Sequence, residues 1–278
     1  MAHLTENPPK PAQTPTRWSL GSLLAQSWAA NKPLTVVGIG SAILLVAAVI
    51  GILVDPTMVL NEPAWLKPAK FAISITLYSF TFIWLLSFVR GAPRTVKVLS
   101  WVTAIMFVVE LGAICFQAGR GVRSHFNSAT PLDSTLYGIM AFAVIALWVA
   151  GFAAAILLIR QKLPGQPALV QSLRLAMVLT VIGAGLGGLM TMPTAEQRSE
   201  IAETGQPPAI LGAHSVGVPD GEEGLPLLGW NTQGGDLRVG HFIGLHAMQV
   251  LPFLGFAIVT WGRRRAESRR QQLGLVWS

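Results

Sequence analysis

Six long apolar stretches dominate this sequence and limit what it can fold into. They cover residues 34–54, 71–89, 98–119, 135–159, 173–192 and 239–262. A helix needs about 20 apolar residues to cross a hydrocarbon core of about 30 Å, and each stretch is about that long. A mean hydropathy of +0.54 and a charged fraction of 12 % agree with a chain that lies mostly in lipid. The sequence therefore predicts an all-α membrane protein, a six-transmembrane-helix bundle.

The distribution of basic residues predicts how these helices cross the membrane. If the N-terminus is cytoplasmic, most of the 20 lysine and arginine residues fall in cytoplasmic segments. Lysine and arginine are enriched in the cytoplasmic loops of membrane proteins, so the pattern favours this orientation. The prediction is an N-in, C-in topology with a transmembrane domain over residues 34–262. The long loop over residues 193–238, between the fifth and sixth helices, is then periplasmic and caps the bundle.

The two ends of the chain differ from its apolar middle. Residues 1–33 combine a polar, proline-rich start that is typical of disorder with a short stretch of helical periodicity suited to the membrane interface. We expect no removable signal peptide there, because no short apolar segment precedes a cleavage site. The basic cytoplasmic tail, residues 263–278, suits anionic lipid headgroups rather than nucleic acid, despite a net charge of +7. Cys115 is the single cysteine, which excludes an internal disulfide.

The loop over residues 193–238 carries several acidic residues and many turn residues. A loop of this length without regular structure is usually functional or disordered. Thr194 and Gln197 have the spacing of a capping box, which predicts a short helix at its start. Apolar residues such as Leu211, Leu228 and Trp230 favour a packed cap over a flexible tail.

Ionisable and polar residues within the apolar stretches mark a candidate site, because such groups are costly at membrane depth. His241, His246 and Gln249 lie in the first part of the sixth stretch, and Glu110 lies within the third. His241 and His246 point about 140° apart on a helix and cannot chelate one ion from a single face. We expect Glu110 and His246 at comparable depth on facing helices.

The connection between the third and fourth stretches is dense in hydrogen-bonding side chains, which include Arg120, Arg123, His125 and Asp133. The arginines suit an anionic headgroup or substrate, and His125 suits a metal ion. Lys67 and Lys70 are predicted at the same membrane surface, against the usual distribution of basic residues. Their position indicates a local partner such as an acidic loop residue or a lipid phosphate.

Several segments resemble those of predicted multi-pass membrane proteins that are widespread in bacteria. They are SHFN followed by PLD, GAHSVGVPDG, and GDLRVGHFIGLHAMQ, and the likeness covers most of the chain from Trp65 to Phe256. No activity is assigned to that group. The resemblance therefore implies a bacterial inner (cytoplasmic) membrane location and no particular chemistry.

The leading functional hypothesis is a metal- or haem-dependent enzyme or redox protein with its site on the periplasmic side. The expected metal ligands are His125, His214, His241 and His246, since imidazole suits zinc, copper and iron. Glu110 and Asp133 are the expected catalytic groups, with Glu110 as a general base toward a zinc-bound water. The expected cofactor-binding residues are His246, Gln249, Arg120 and Arg123. The spacing of the histidines matches no HExxH pattern.

Two alternatives remain open at this point. The first is a proton-coupled transporter or channel-like protein that uses Glu110, His246 and Gln249. The second is a non-catalytic subunit of a larger membrane complex, with the long loop as its docking surface. Expected partners are membrane lipids, a small-molecule or lipid substrate, and further copies of the chain or other subunits.

Overall fold

The computed structural model describes residues 19–222 and 224–276, with side chains described to residue 265. The expected disorder of the first residues and the contacts of the basic tail lie outside these residues. The described helices are α1 (Leu20–Ala30), α2 (Lys32–Val54), α3 (Leu66–Leu86), α4 (Pro93–Gly119), α5 (Pro131–Arg160), α6 (Pro167–Met190), α7 (Ala195–Thr204) and α8 (Leu237–Val276). Two short antiparallel pairs, β1 (Met58–Val59) with β2 (Glu62–Pro63) and β3 (Ser215–Val216) with β4 (Gly235–Asp236), complete the described elements.

Six helices, α2 to α6 and α8, are long and apolar enough to cross a membrane. Their outer surfaces expose large apolar side chains, among them Ile43 at 66 %, Phe142 at 67 % and Phe253 at 70 %. Continuous apolar surface of this kind is rare on soluble proteins and is the natural surface of a helix bundle in lipid. The fold confirms the prediction of an all-α, multi-pass membrane protein.

All six membrane-spanning helices begin earlier than the apolar stretches predict, and in α2 and α5 a polar cap and a proline start the helix outside the apolar region. Thr130 caps α5 by accepting a hydrogen bond from the backbone N–H of Asp133, and Pro131 occupies the first helical position. Asn31 caps α2 in the same way, followed closely by Pro33. Proline is favoured at these first positions because its missing N–H would have no helical partner there.

The closest helix contact in the bundle joins α6 and α8. Gly183 and Gly244 face each other so closely that an added Cβ on either would lie about 2.5 Å from the other's Cα. Small residues allow membrane helices to approach in this way. The close contact at Gly183 therefore serves packing within the bundle. Pro252 lies inside α8, which continues past it.

One end of the bundle, here called the loop end, carries three connections that pack together: residues 55–65, residues 120–130, and the cap, defined as residues 191–236. The cap is fastened by backbone hydrogen bonds from Ser128 N–H to Ala209 O (2.7 Å) and from Leu211 N–H to Phe126 O (3.0 Å). Its helix α7 begins with the predicted capping box of Thr194 and Gln197. The opposite end, called the tail end, carries residues 87–92 and 161–166.

Candidate functional site

Glu110 is a buried carboxylate inside a membrane-spanning helix. It lies on α4, and its side chain is 3 % exposed. Neither carboxylate oxygen makes a hydrogen bond of good geometry with the described residues. A buried carboxyl group of this kind must be paired, protonated or bound to a cation. The surroundings of Glu110 therefore decide what it can do.

The side chain of His125 lies between those of Glu110 and Lys67. The Nε2 atom of His125 is 3.2 Å from Oε1 of Glu110. The Nδ1 atom of His125 is 3.1 Å from Nζ of Lys67. A lysine ammonium group can donate but cannot accept, so Nδ1 accepts and the imidazole proton is on Nε2, facing Glu110. Lys67, His125 and Glu110 thus lie in a row, with separations of 3.1 Å and 3.2 Å, and are named here the Lys67–His125–Glu110 chain.

The loop that carries His125 is fixed on both sides. Asn127 donates from Nδ2 to the backbone oxygen of Arg123 and accepts from the N–H of Ala129. Phe126 is 2 % exposed and has a positive φ of 62°, which turns the backbone so that its ring points into the bundle end. That ring contacts the rings of His125 and His214. His125 is therefore held in place by a packed loop.

Burial lowers the pKa of His125 well below 6.5, and the nearby charge of Lys67 lowers it further. His125 side-chain exposure is 20 %, compared with 3 % for Glu110. The imidazole is therefore neutral at neutral pH. It lies between the partly exposed loop end and the buried carboxylate of Glu110.

A second buried carboxylate, Asp133, lies nearby and is fully satisfied. Its oxygens accept hydrogen bonds from Gln117 Nε2 (2.8 Å), Arg120 Nη1 (2.6 Å) and the Thr130 hydroxyl (2.6 Å). Gln117 also accepts from Arg120. This closed network joins α4 to the start of α5. Asp133 thus pairs with the charge of Arg120. A catalytic role for Asp133 stays a prediction.

Asp220 organises a third polar group within the cap. It accepts from the backbone N–H groups of His214 and Ser215, and His214 Nδ1 lies 2.8 Å from its Oδ2. Arg123 Nη2 is 3.3 Å from the same oxygen. Burial raises the pKa of Asp220, but these donors outweigh it and hold the pKa below its usual range. Burial lowers the pKa of His214, partly offset by the hydrogen bond to Asp220.

Two further cations at the loop end, Lys70 and Arg238, pair directly with acids. Lys70 lies 3.2 Å from Glu62, which agrees with the expected acidic loop partner, and it also donates to a backbone oxygen of the cap. Arg238 pairs with Asp236. Lys67 differs because His125 lies between it and its acid. Lys70 and Arg238 are therefore each in direct contact with an acid, unlike Lys67.

The two histidines of α8, His241 and His246, make their described contacts with residues other than Glu110. His241 Nδ1 lies 2.7 Å from the backbone oxygen of Gly183 on α6. The ring of His246 packs on that of Phe242 at 4.3 Å, and Gln249 beside it has a buried, unpartnered Oε1. Within the described part of the chain, the hydrogen bonds and ion pairs join Glu110 to His125 and not to His246. The expected facing of Glu110 and His246 is replaced by contact with a loop histidine.

The four histidines proposed as metal ligands do not gather around one point. Over residues 19–222 and 224–265, no group of three His, Cys, Asp or Glu side chains is placed to hold a metal ion. His125 faces Lys67 and Glu110, and His214 faces Asp220. The donor arrangement does not support the metal hypothesis. Haem ligation by His246 stays a prediction.

Lys67 is the member of the site whose role the sequence analysis missed. Lys67 is predicted on the side of the membrane that usually carries few basic residues, and this is the signal that the sequence offers. The signal indicates that Lys67 has a partner but does not identify it. The pairing of His125 with Glu110 also escapes the sequence, because a loop residue is brought over α4 by tertiary contacts.

Comparison of the chain with protein-family models, curated proteins and solved structures gives no match. The fold itself defines the class, a multi-pass α-helical membrane protein with six spanning helices.

Proposed function

We propose that the chain is a membrane transporter that moves protons through the Lys67–His125–Glu110 chain. The observation that carries this proposal is the unsatisfied, buried carboxylate of Glu110 at 3.2 Å from a neutral, partly exposed imidazole. Ionisable groups inside a membrane bundle are characteristic of proton relays and ion pathways. This is the transporter alternative of the sequence analysis, with His125 in the place given there to His246.

The proton transfer balances without a further reactant. The Nε2 proton of His125 passes to the Glu110 carboxylate while Nδ1 takes a proton from the Lys67 ammonium group. The imidazole stays neutral and changes tautomer, Glu110 becomes neutral, and Lys67 becomes a neutral amine that regains its proton from water at the loop end. Neutral histidine suits this step because one ring nitrogen donates while the other accepts.

The proposal is tested by proton flux into proteoliposomes that contain a trapped pH-sensitive dye, driven by an imposed membrane potential. The full-length protein is expected to carry protons faster than empty liposomes. Glu110→Gln removes the titratable group and keeps the shape, so its flux is expected to fall at least about tenfold, to near the empty-liposome level. His125→Gln is expected to reduce it similarly.

Matched controls separate the relay from general charge effects. Glu62→Gln makes the same chemical change at a carboxylate that pairs with Lys70 outside the chain. His214→Gln makes the same change as His125→Gln, at a cap histidine outside the Lys67–His125–Glu110 chain. Both controls are expected to keep wild-type flux. Wild-type flux equal to that of empty liposomes, or unchanged flux in Glu110→Gln, would refute the proposal.

We also propose that the loop end is periplasmic and the tail end cytoplasmic, in a bacterial inner membrane. The support is the excess of basic residues in the segments assigned to the tail side. With Cys115→Ala as background, a membrane-impermeant maleimide is expected to label Glu200→Cys on intact spheroplasts of a bacterial host. Lys162→Cys is expected to label only after permeabilisation. The reverse labelling would invert the topology.

A further inference from the structure

A shallow groove opens on the outer surface of the bundle between α5 and α6, near the tail end. Its volume is about 420 Å³, and its lining residues are Ile159, Gln171, Ser172, Arg174, Leu175 and Val178. Three of these are apolar and face outward, with Ile159 41 %, Leu175 50 % and Val178 38 % exposed. The groove therefore combines a membrane-facing apolar wall with one fixed positive charge.

Arg174 is that charge, and the described side chains give it no carboxylate partner within ion-pair distance. Its Nη2 donates to the backbone oxygen of Gln161 at 3.0 Å, while its Nε is buried without an acceptor. The side chain of Gln161 bonds both backbone groups of Arg90, so this anchor is itself fixed. A guanidinium group has five N–H donors. Arg174 thus holds unused donors at a fixed position in a membrane-spanning helix.

We propose that this groove binds the phosphate of an anionic membrane phospholipid. The planar guanidinium matches the geometry of a phosphate and is the side chain best suited to pair with one. Val178 lies one helical turn deeper than Arg174 on the same face of α6, so an acyl chain can follow the apolar wall toward the membrane centre. Ser172 donates to its own helix at Leu169 O, which leaves Arg174 as the charged group for the headgroup.

Native mass spectrometry of the full chain in detergent tests this site, with phosphatidylglycerol as probe and phosphatidylcholine as reference. Wild-type protein is expected to retain phosphatidylglycerol in preference to phosphatidylcholine. Arg174→Gln is expected to weaken phosphatidylglycerol binding about tenfold, since charge-assisted hydrogen bonds to phosphate are lost. Arg160→Gln removes an equal charge from an exposed position at the same end, and its binding is expected to stay at the wild-type level.

A second variant keeps the test valid if Arg174→Gln folds poorly. Val178→Trp fills the membrane-facing part of the groove and leaves the charge of Arg174 in place, and it is expected to lose phosphatidylglycerol binding as well. Equal losses in Arg174→Gln and Arg160→Gln would overturn the site. Unchanged binding in Val178→Trp would do the same. Displacement of the lipid by an equal concentration of inorganic phosphate would show a soluble phosphate site and overturn the lipid assignment.

Discussion

Asp133 and Glu110 are both buried carboxylates near the loop end, yet their surroundings differ completely. Asp133 accepts hydrogen bonds from Gln117, Arg120 and Thr130. Glu110 has only the approach of His125. Hydrogen bonds from donors stabilise the charged form of a carboxyl group, whereas burial without them opposes it. The donors around Asp133 therefore stabilise its charged form, and Glu110 is the carboxyl group for which we propose proton exchange.

Asp133→Asn is expected to destabilise the protein by about 1–3 kcal/mol, because Arg120 loses its counterion in a partly buried position. The amide can keep some of the hydrogen bonds, which limits the loss. Thermal unfolding in detergent measures the change. Glu62→Gln is the matched control: both members of its pair are about one third exposed, and a loss below about 1 kcal/mol is expected. Equal losses in the two variants would contradict the structural role of Asp133.

The sequence identifies Glu110 and the loop-end residues as candidates but does not identify their partners. The rise of a helix per residue predicts depth in the membrane, which is why Glu110 and His246 were expected to face each other. Rotation about the helix axis and the path of a loop depend on packing. His125 reaches Glu110 because Phe126 and Asn127 fix its loop, which no local pattern reveals.

At the scale of helices, the contact of α6 with α8 depends on two glycines. Gly183 and Gly244 meet with almost no space for a side chain, and His241 on α8 bonds the backbone oxygen of Gly183. In lipid, close packing and interhelical hydrogen bonds replace the hydrophobic effect as the force between helices. This pair of helices therefore holds the cap at both of its ends, since α6 precedes the cap and α8 follows it.

Gly183→Ala is expected to destabilise the bundle by about 1–3 kcal/mol, because the added methyl group meets backbone atoms that cannot move aside. Gly188→Ala is the control, since no atom lies within 4 Å of an added Cβ there. Its stability should stay equal or rise slightly, as alanine favours a helix over glycine. Thermal unfolding compares the two. A Gly183→Ala protein as stable as Gly188→Ala would show that the contact is looser than described.

Helix number and most helix positions follow from hydropathy, because each spanning helix needs its own apolar stretch of about 20 residues. The residues at which the helices start do not follow from hydropathy, since Asn31, Thr130 and the prolines that follow them extend helices into polar segments. The structure of the cap is the least predictable part. Apart from the capping box of Thr194 and Gln197, its fold depends on distant contacts such as Ser128 with Ala209.

At the scale of the whole molecule, charge is distributed unevenly along the bundle. Several acids and bases at the loop end form ion pairs, whereas Arg174 near the tail end has no acid partner among the described residues. On this basis we propose proton exchange at the loop end and contact with anionic lipid at the tail end.

Stability against pH is a property of the whole molecule, and two loop-end histidines contribute to it near neutrality. The pKa values of His125 and His214 are lowered by burial in the folded state. These two side chains bind more protons in the unfolded chain below about pH 6.5, so their contribution to stability is lost as the pH decreases. Lys67, His241 and Glu110 are the other ionisable groups that act on His125 or lie against it.

The apparent Tm is accordingly expected to fall between pH 7.5 and pH 5.5, by an amount equivalent to up to about 1.4 kcal/mol per pH unit for each proton taken up. Differential scanning fluorimetry in detergent follows it. His125→Gln should show a smaller decrease, since one of the two groups is gone. An equal decrease in wild type and variant would be inconsistent with a neutral, buried His125.

The measurement that tests the central claim most directly is pH-difference infrared spectroscopy of the carboxylic C=O stretch, on protein reconstituted in lipid. The Lys67–His125–Glu110 chain predicts a band that appears on protonation, is absent in Glu110→Gln and shifts in His125→Gln. Glu62→Gln should show the same band as the wild type. A spectrum without a titrating carboxyl band that depends on Glu110 would contradict proton exchange at this residue.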